Sequence, residues 1–350
     1  MTARPEPEDE TGGTEIMAKI LAALAFAFAT LCVLLASATA FAQRGRGNAP
    51  PPPPPAEIAA PAIPGVIAPG TKVQLVNGDL RRTEGPVAMP DGGIVFTNTN
   101  SITRLDPAGN VSTFVEVSNN ANGLGWDTKG RLIAVERKPN DERLGVLYPP
   151  SAVTTLADRH DGMPFDRLND LVVTSHDAVY FTDGKGVYYL PAGGGAVKKV
   201  IDGIPNPNGV QLSPDEKTLY ANNKDGEYLL AFDVKPDGTL ANRRNFAKYK
   251  SVTLKDSKDP LLAEDNGADG LAVDNDGRVY VATNVGVEVF SPKGDLLGVI
   301  PAIWGGESLM LRKPQNLAFA GPGKKTLYMV GAGVAFKVQT LTQGVSKRAK

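Results

Sequence analysis

The chain has 350 residues, 42% of them hydrophobic, with 38 Gly and 28 Pro. Gly and Pro together make roughly 19% of it against a usual ~12%, which excludes a helical bundle and points to short strands joined by many turns. With 37 basic and 38 acidic residues, no global field recruits nucleic acid or an anionic membrane, so partners are to be sought in a site.

From Ile20 to Ala42 the chain reads ILAALAFAFATLCVLLASATAFA, with Lys19 just before it and Ala40-Phe41-Ala42 at its end. This is the pattern of a secretory signal peptide cleaved before Gln43. The run could also span a bilayer as an anchor, but the small-x-small ending and the polar stretch behind it favour cleavage. MAKILAAL supplies a basic start directly, so Met17 is the expected start and residues 1–16 an over-extension. Cys32, the single cysteine, lies inside the run. A cleaved chain then has no disulfide, thiolate metal site or cysteine nucleophile, and a periplasmic or secreted location is expected. Residues 43–70 contain a six-proline run and read as an extended, semi-rigid linker, which leaves 71–350 for the folded domain.

That domain repeats one 15-residue hairpin six times without a gap, from Glu84, Asn122, Asn169, Asn208, Asp269 and Asn316. The starts are 38, 47, 39, 61 and 47 residues apart, close to the ~40–50 residues of a four-stranded propeller blade. Stretches such as ITRLD, GVYYL, YLLAFDV and GVEVF supply further strands. The fold is therefore expected to be all-β, a six-bladed β-propeller, with the long interval from Arg243 to Asp265 inserted as a surface loop.

The turn of each hairpin falls seven to eight residues in, so the first residue of every copy lies at the open end. If the first strand is innermost, those six carboxylates and amides ring one mouth of the central channel. Each alone is an ordinary turn former. As a set without His or Cys, they suit a hard cation that takes oxygen ligands, calcium before zinc.

EGP at Glu84, RLND at Arg167 to Asp170, PNG at Pro207 to Gly209 and ADGLAVDNDGRVYVA from Ala268 resemble the senescence marker protein, gluconolactonase and luciferin-regenerating enzyme family over about residues 80–330. The resemblance implies a six-bladed propeller with calcium, or a similar divalent ion, in its channel and lactonase or related hydrolase activity. It places metal ligands on Glu84, Asn169, Asn208 and Asp269, substrate contacts on Arg167 and Asn169, and the general base on Asp269; Asp170, by its place next to Asn169, is the second choice for the base, though it reads more readily as a structural turn carboxylate. The sequence DRLND replaces the SPND of many relatives, which leaves substrate choice open. The implied partner is a small-molecule lactone. The implied chemistry is polarisation of the lactone carbonyl against an attacking water.

Other catalysts are disfavoured. His176 sits in a hairpin turn away from the ring, and His160 reads as a loop residue that could overhang the mouth. No G-x-S-x-G elbow is present. D-N-D-G at Asp274 fills a turn and lacks the glutamate of an EF-hand. Trp304 reads as packing. The competing reading is a non-catalytic exported propeller that binds a ligand or protein at the same mouth, which would want exposed aromatics there.

Overall fold

A computed structural model of the protein describes residues 57–252, 266–302 and 313–348, all within the unit Pro53–Lys350. The expected signal peptide, Trp304 and residues 253–265 of the expected insertion lie outside the described residues.

Among the described residues six antiparallel sheets of four or five strands follow one another along the chain, with a two-stranded ribbon, Arg159–His160 with Met163–Pro164, between the second and the third. Their first strands are Thr83–Ala88 (blade I), Leu124–Trp126 (II), Leu171–Val173 (III), Pro207–Leu212 (IV), Leu271–Val273 (V) and Asn316–Ala320 (VI). Each first strand packs against that of the next blade, and blade VI packs back on blade I, so these six strands form a closed inner ring. This is the expected six-bladed propeller. The short apolar stretches are the third strands, as in Gly186–Leu190 and Gly286–Phe290.

Strands such as Val179–Asp183 and Val279–Thr283 are buried on both faces, because each blade is sandwiched between two others. The hydrophobic core is correspondingly divided into clusters between neighbouring blades. Val87, Val95 and Ile102 of blade I meet Leu124, Leu132 and Ala134 of blade II, and Ala88, Ile94 and Phe96 on the other face of blade I meet Tyr328, Val330 and Ala335 of blade VI.

Two segments depart from expectation. The linker expected over 43–70 ends earlier. Glu57–Ala59 and Lys72–Asn77 add two strands to blade VI outside Val334–Gln339, and the turn between them buries Ile63, Val66 and Ile67 against blades V and VI. The ring is thus closed by joining the two ends of the domain in one sheet, and apolar residues spaced among prolines still find a core. Second, the stretch from Arg243 continues the outer strand of blade IV, Leu240–Lys248, before Tyr249 turns inward, fully buried.

Burying an aliphatic side chain contributes about 1.5–3 kcal/mol. A chain beginning at Lys72 is therefore expected to be about 5 kcal/mol or more less stable in denaturant melts than one beginning at Gln43, or to fail to fold. Equal midpoints would show that the segment before Lys72, with its strand Glu57–Ala59 and buried turn, is dispensable.

At the hairpin-turn end the channel is plugged by the C-terminal segment. Arg348 is 6% exposed and donates to Leu212 O (2.7 Å) and Ser213 O (3.1 Å). Lys324 Nζ holds Val345 O at 2.7 Å. Access to the axis is therefore from the opposite end, where the repeats begin.

Candidate active site at the propeller axis

The first residues of the six repeats converge as the hairpin count requires. Glu84, Asn208 and Asp269 are each 5% exposed. Asn122 and Asn316 are also buried, and Asn169 is half-buried. The following residue is Gly in four copies, and the structure gives the reason. A Cβ on Gly85 would lie 2.1 Å from Asn122 O, on Gly209 2.3 Å from Asp269 O, and on Gly270 2.1 Å from Asn316 Cγ. The backbone at each glycine abuts the first residue of the next blade, so the ring is drawn tight around its axis. Gly85 also has φ +50°, which disfavours any side chain. Gly85→Ala is expected to lower stability by about 1–3 kcal/mol or more. A variant that melts like the parent would contradict this packing.

In the third copy that glycine is replaced by Asp170, which is fully buried. Asn316 Nδ2 lies 3.2 Å from Glu84 Oε2 and 3.5 Å from Asp170 Oδ2. Blades III and VI are opposite one another in a ring of six, so a bond between them passes through the axis. The Asn316 amide orientation is set by Leu317 N, which donates to Asn316 Oδ1 at 2.9 Å. Asp170 is itself held by Leu171 N on Oδ1 (2.9 Å), and Thr182 Oγ1 accepts from Asp170 N (3.0 Å) while donating to Asn208 O (2.6 Å).

The electrostatics of this cluster are unbalanced in favour of a cation. Burial, then the charges of Asp269 and Asp170, push the Glu84 carboxyl up to about 8, against the smaller opposing effects of its hydrogen bonds from Asn316 and Gly85. Asn208 Oδ1 is buried and has no hydrogen-bond partner among the described residues. An unpartnered buried acceptor costs about 1–3 kcal/mol. Three carboxylates and an unused amide oxygen fit a hard divalent cation that takes oxygen donors. Among the described residues no three Asp, Glu, His or Cys side chains are close enough to hold a metal by themselves. The set is a mixed one that needs amide oxygen as well as carboxylate.

Asn169 is positioned one step from this cluster. Its Oδ1 and backbone O accept from Asn122 Nδ2 (3.2 and 3.0 Å), and Asn122 Oδ1 accepts from Arg137 Nη1 (3.3 Å). Arg167, exposed and with φ +61°, is followed by Leu168, whose N–H donates to Glu142 Oε2 at 2.7 Å. Asp170 on the axis and Arg137 beside Asn122 are the residues that the repeat count did not select. The signal for Asp170 was its place in a column otherwise mostly glycine. Arg137 lies just past the fifteenth residue of its repeat and carried no signal.

The remaining candidates are structural. His160 Nε2 accepts from Lys199 N (3.2 Å) on the outer strand of blade III and packs edge-on to Tyr188, so it does not overhang the mouth. His176 is at the hairpin-turn end beside Ser175. Asp274 of D-N-D-G binds Arg278 and the Tyr280 hydroxyl.

A cavity of about 240 Å³ opens at the mouth beside Glu84 and Asn122, walled by Arg82, Thr97, Thr99 and Arg137. A larger one, of about 500 Å³, lies at the hairpin-turn end between Trp126, Phe114 and the C-terminal Arg348. Its lining carboxylate, Asp127, is paired with Arg131. Its lining includes none of Glu84, Asp170 and Asp269, whereas Glu84 lines the smaller cavity.

Fold and site together define a six-bladed propeller with a carboxylate and amide cluster on its axis. Residues 82–333 match the model of the SMP-30/Gluconolactonase/LRE-like region, and the chain belongs to that family. It is 24% identical over 324 residues to a gluconolactonase of Zymomonas mobilis, covering 81% of this chain and 86% of that one. A lactonase drp35 of Staphylococcus saprophyticus is 31% identical over 144 residues, 38% of this chain and 41% of that one. Among solved structures, a gluconolactonase from Xanthomonas campestris superposes with a TM-score of 0.67 at 23% identity, over 82% of this chain and 98% of that one. A calcium-binding regucalcin from Agrobacterium tumefaciens does so with a TM-score of 0.61 at 18% identity, over 81% and 95%. At these identities the two structures speak for the fold.

Proposed function

We propose that the protein is a lactonase that hydrolyses a small lactone at the axial cluster, in a calcium-dependent reaction. The observation that carries this reading is the meeting of Glu84, Asp170 and Asn316 from three blades on the axis, with Asp269 near enough to act on Glu84 by its charge. The family relatives named gluconolactonase and lactonase support the reaction class.

Glu84, Asn208, Asp269 and, from the side, Asn169 are the residues that would hold the cation. Once bound, calcium supplies positive charge that polarises a carbonyl and orients it. The protein then needs a base for water, and Asp269 is assigned to it. A carboxylate has two oxygens, so one can face the cation while the other takes the proton. The water oxygen bonds to the carbonyl carbon, the ring C–O bond breaks, and the proton held by Asp269 passes to the departing ring oxygen, which leaves as a hydroxyl on the opened acid. Asp170, with both oxygens in or near hydrogen bonds to Leu171 N and Asn316, acts on the field at the axis. Arg167 and Asn169 are assigned to substrate.

The test is hydrolysis of glucono-1,5-lactone above its spontaneous rate, with calcium and after chelation. Metal-independent turnover would remove the calcium mechanism, and no turnover over a panel of lactones would favour a binding module.

Export is proposed as well, supported by the apolar run from Ile20 and the Ala40-Phe41-Ala42 ending. Protein recovered from outside the cytoplasm is expected to begin at Gln43 on N-terminal sequencing. Recovery of the full-length chain from the membrane would show an anchor.

A further inference from the structure

Three arginines at the same mouth make no ion pair among the described residues. Arg143 and Arg131 pair with Glu136 and Asp127, whereas Arg82, Arg137 and Arg167 form no ion pair among the described residues. Arg137 is half-buried, and its polar contact through the guanidinium is with an amide, Asn122 Oδ1. Glu142, its cross-strand neighbour, is committed to Leu168 N instead, an attachment that also brings Arg167 to this side of the mouth.

Burial and then the charge of Arg82 make the Arg137 cation less favourable than usual. Glu142 and Glu84 oppose this, and Arg167 adds to it. Arg82 and Arg137 wall the 240 Å³ cavity that leads to Glu84 and Asn122. Guanidinium groups that repel one another at the wall of a cavity favour an anion, and their planar fork fits carboxylate or phosphate oxygens in pairs.

We infer that the natural lactone carries an anionic group, a carboxylate or a phosphate, which docks on Arg137 and Arg82, with Arg167 closing from the third side, while the ring carbonyl faces the axial cluster. This inference rests on the lactonase reading above and adds the substrate class. A neutral sugar lactone would offer the three guanidinium groups no opposite charge. An anionic one is held at both ends, by the arginines at one and the axial cluster at the other, which fixes the orientation of the ring.

The experiment compares lactones matched in the ring. D-Glucaro-1,4-lactone differs from D-glucono-1,4-lactone by a carboxylate in place of a terminal CH2OH, and 6-phosphoglucono-1,5-lactone differs from glucono-1,5-lactone by its phosphate. With the calcium-loaded protein, kcat/KM is expected to favour at least one anionic lactone over its neutral partner by about tenfold or more. The pair that shows it identifies the anion. Arg137→Gln and the exposed Arg82→Gln are each expected to reduce that ratio severalfold, Arg137→Lys to keep most of it, and added salt to narrow it.

Ratios near one in both pairs, or arginine variants that lower all four lactones in equal proportion, would overturn the inference while leaving the lactonase reading intact. If no lactone is hydrolysed, the lactonase reading fails. The intact lactones are then titrated by calorimetry. Tighter binding of an anionic member that is lost in Arg137→Gln sustains the anion site, and equal binding overturns it.

Discussion

Asp269→Ala is expected to reduce turnover of a lactone substrate by about 10³-fold, the scale on which a positioned base contributes, and chelation of calcium is expected to do the same to the unaltered protein. The two losses should not add, because Asp269 is assigned both to the cation and to the proton. Asp269→Asn separates the roles. The amide keeps an oxygen donor but cannot take a proton, so this variant should retain measurable calcium binding by calorimetry while kcat falls nearly as far as in Asp269→Ala. Asp269 lies 5% exposed between Gly209 N–H, which meets its backbone O at 3.2 Å, and Asn222, whose amide donates to the same oxygen. The backbone is thus held without the carboxylate, and the substitutions should leave the fold in place. Full activity in Asp269→Asn would move the base elsewhere, with Asp170 the nearest alternative.

Glu84→Gln is expected to make the calcium-free protein more stable while removing most of its calcium affinity. Glu84 is buried beside two other carboxylates, and its carboxyl is pushed up to about 8 from an ordinary value of 4.5. A carboxyl raised on folding binds more proton in the native chain than in the unfolded one between those two values. Stability of the calcium-free protein must therefore fall as pH rises from about 4.5 to about 8, and level off above. Glutamine has no such slope. The two proteins should melt alike near pH 4.5 and diverge with rising pH, the variant becoming more stable by on the order of a few kcal/mol at pH 8 and above. Calcium reverses the order, since it stabilises only the protein that binds it. Thermal melts at several pH values, with and without chelator, check all of this. A calcium-free Glu84→Gln that is less stable than the parent at pH 8 would show that the axis is not a cluster of mutually repelling carboxylates.

The arrangement makes functional sense of a destabilised centre. Asn316 spends its amide hydrogens on Glu84 and Asp170, and Thr182 steadies Asp170 and the Asn208 backbone together. These bonds hold the oxygen donors in place without discharging them. The glycines at Gly85, Gly209 and Gly270 let neighbouring inner strands approach closely enough for the cluster to exist.

Much of this was legible beforehand because a propeller repeats. Gapless copies of one hairpin fixed the blade count, and the position of the turn within each copy fixed which end of each hairpin carries polar residues. Glu84, Asn208 and Asp269, which that count set at the open end of their hairpins, are buried. Asp170 was read mainly as the neighbour of Asn169, since an index along one hairpin does not reveal that blades III and VI face each other across 3.5 Å. Arg137 escaped altogether. Its role comes from reaching Asn122 across its own hairpin and from lying near Arg82 and Arg167, and none of these relations has a fixed spacing in sequence. The early end of the Pro-rich stretch was missed because composition outweighed four scattered apolar residues, Ile58, Ile63, Val66 and Ile67, that pack on the core.

The chain by itself determined that this protein is a six-bladed propeller with an acid and amide ring at one mouth, because local periodicity and turn chemistry are properties of neighbouring residues. Only the tertiary structure decided how the ring closes through Glu57–Ala59 and Lys72–Asn77, which acid stands on the axis, and that three arginines without an ion pair among the described residues lie at the same mouth. Those features depend on residues from different blades meeting in space, and on burial that shifts Glu84 and leaves Asn208 Oδ1 without a hydrogen-bond partner among the described residues.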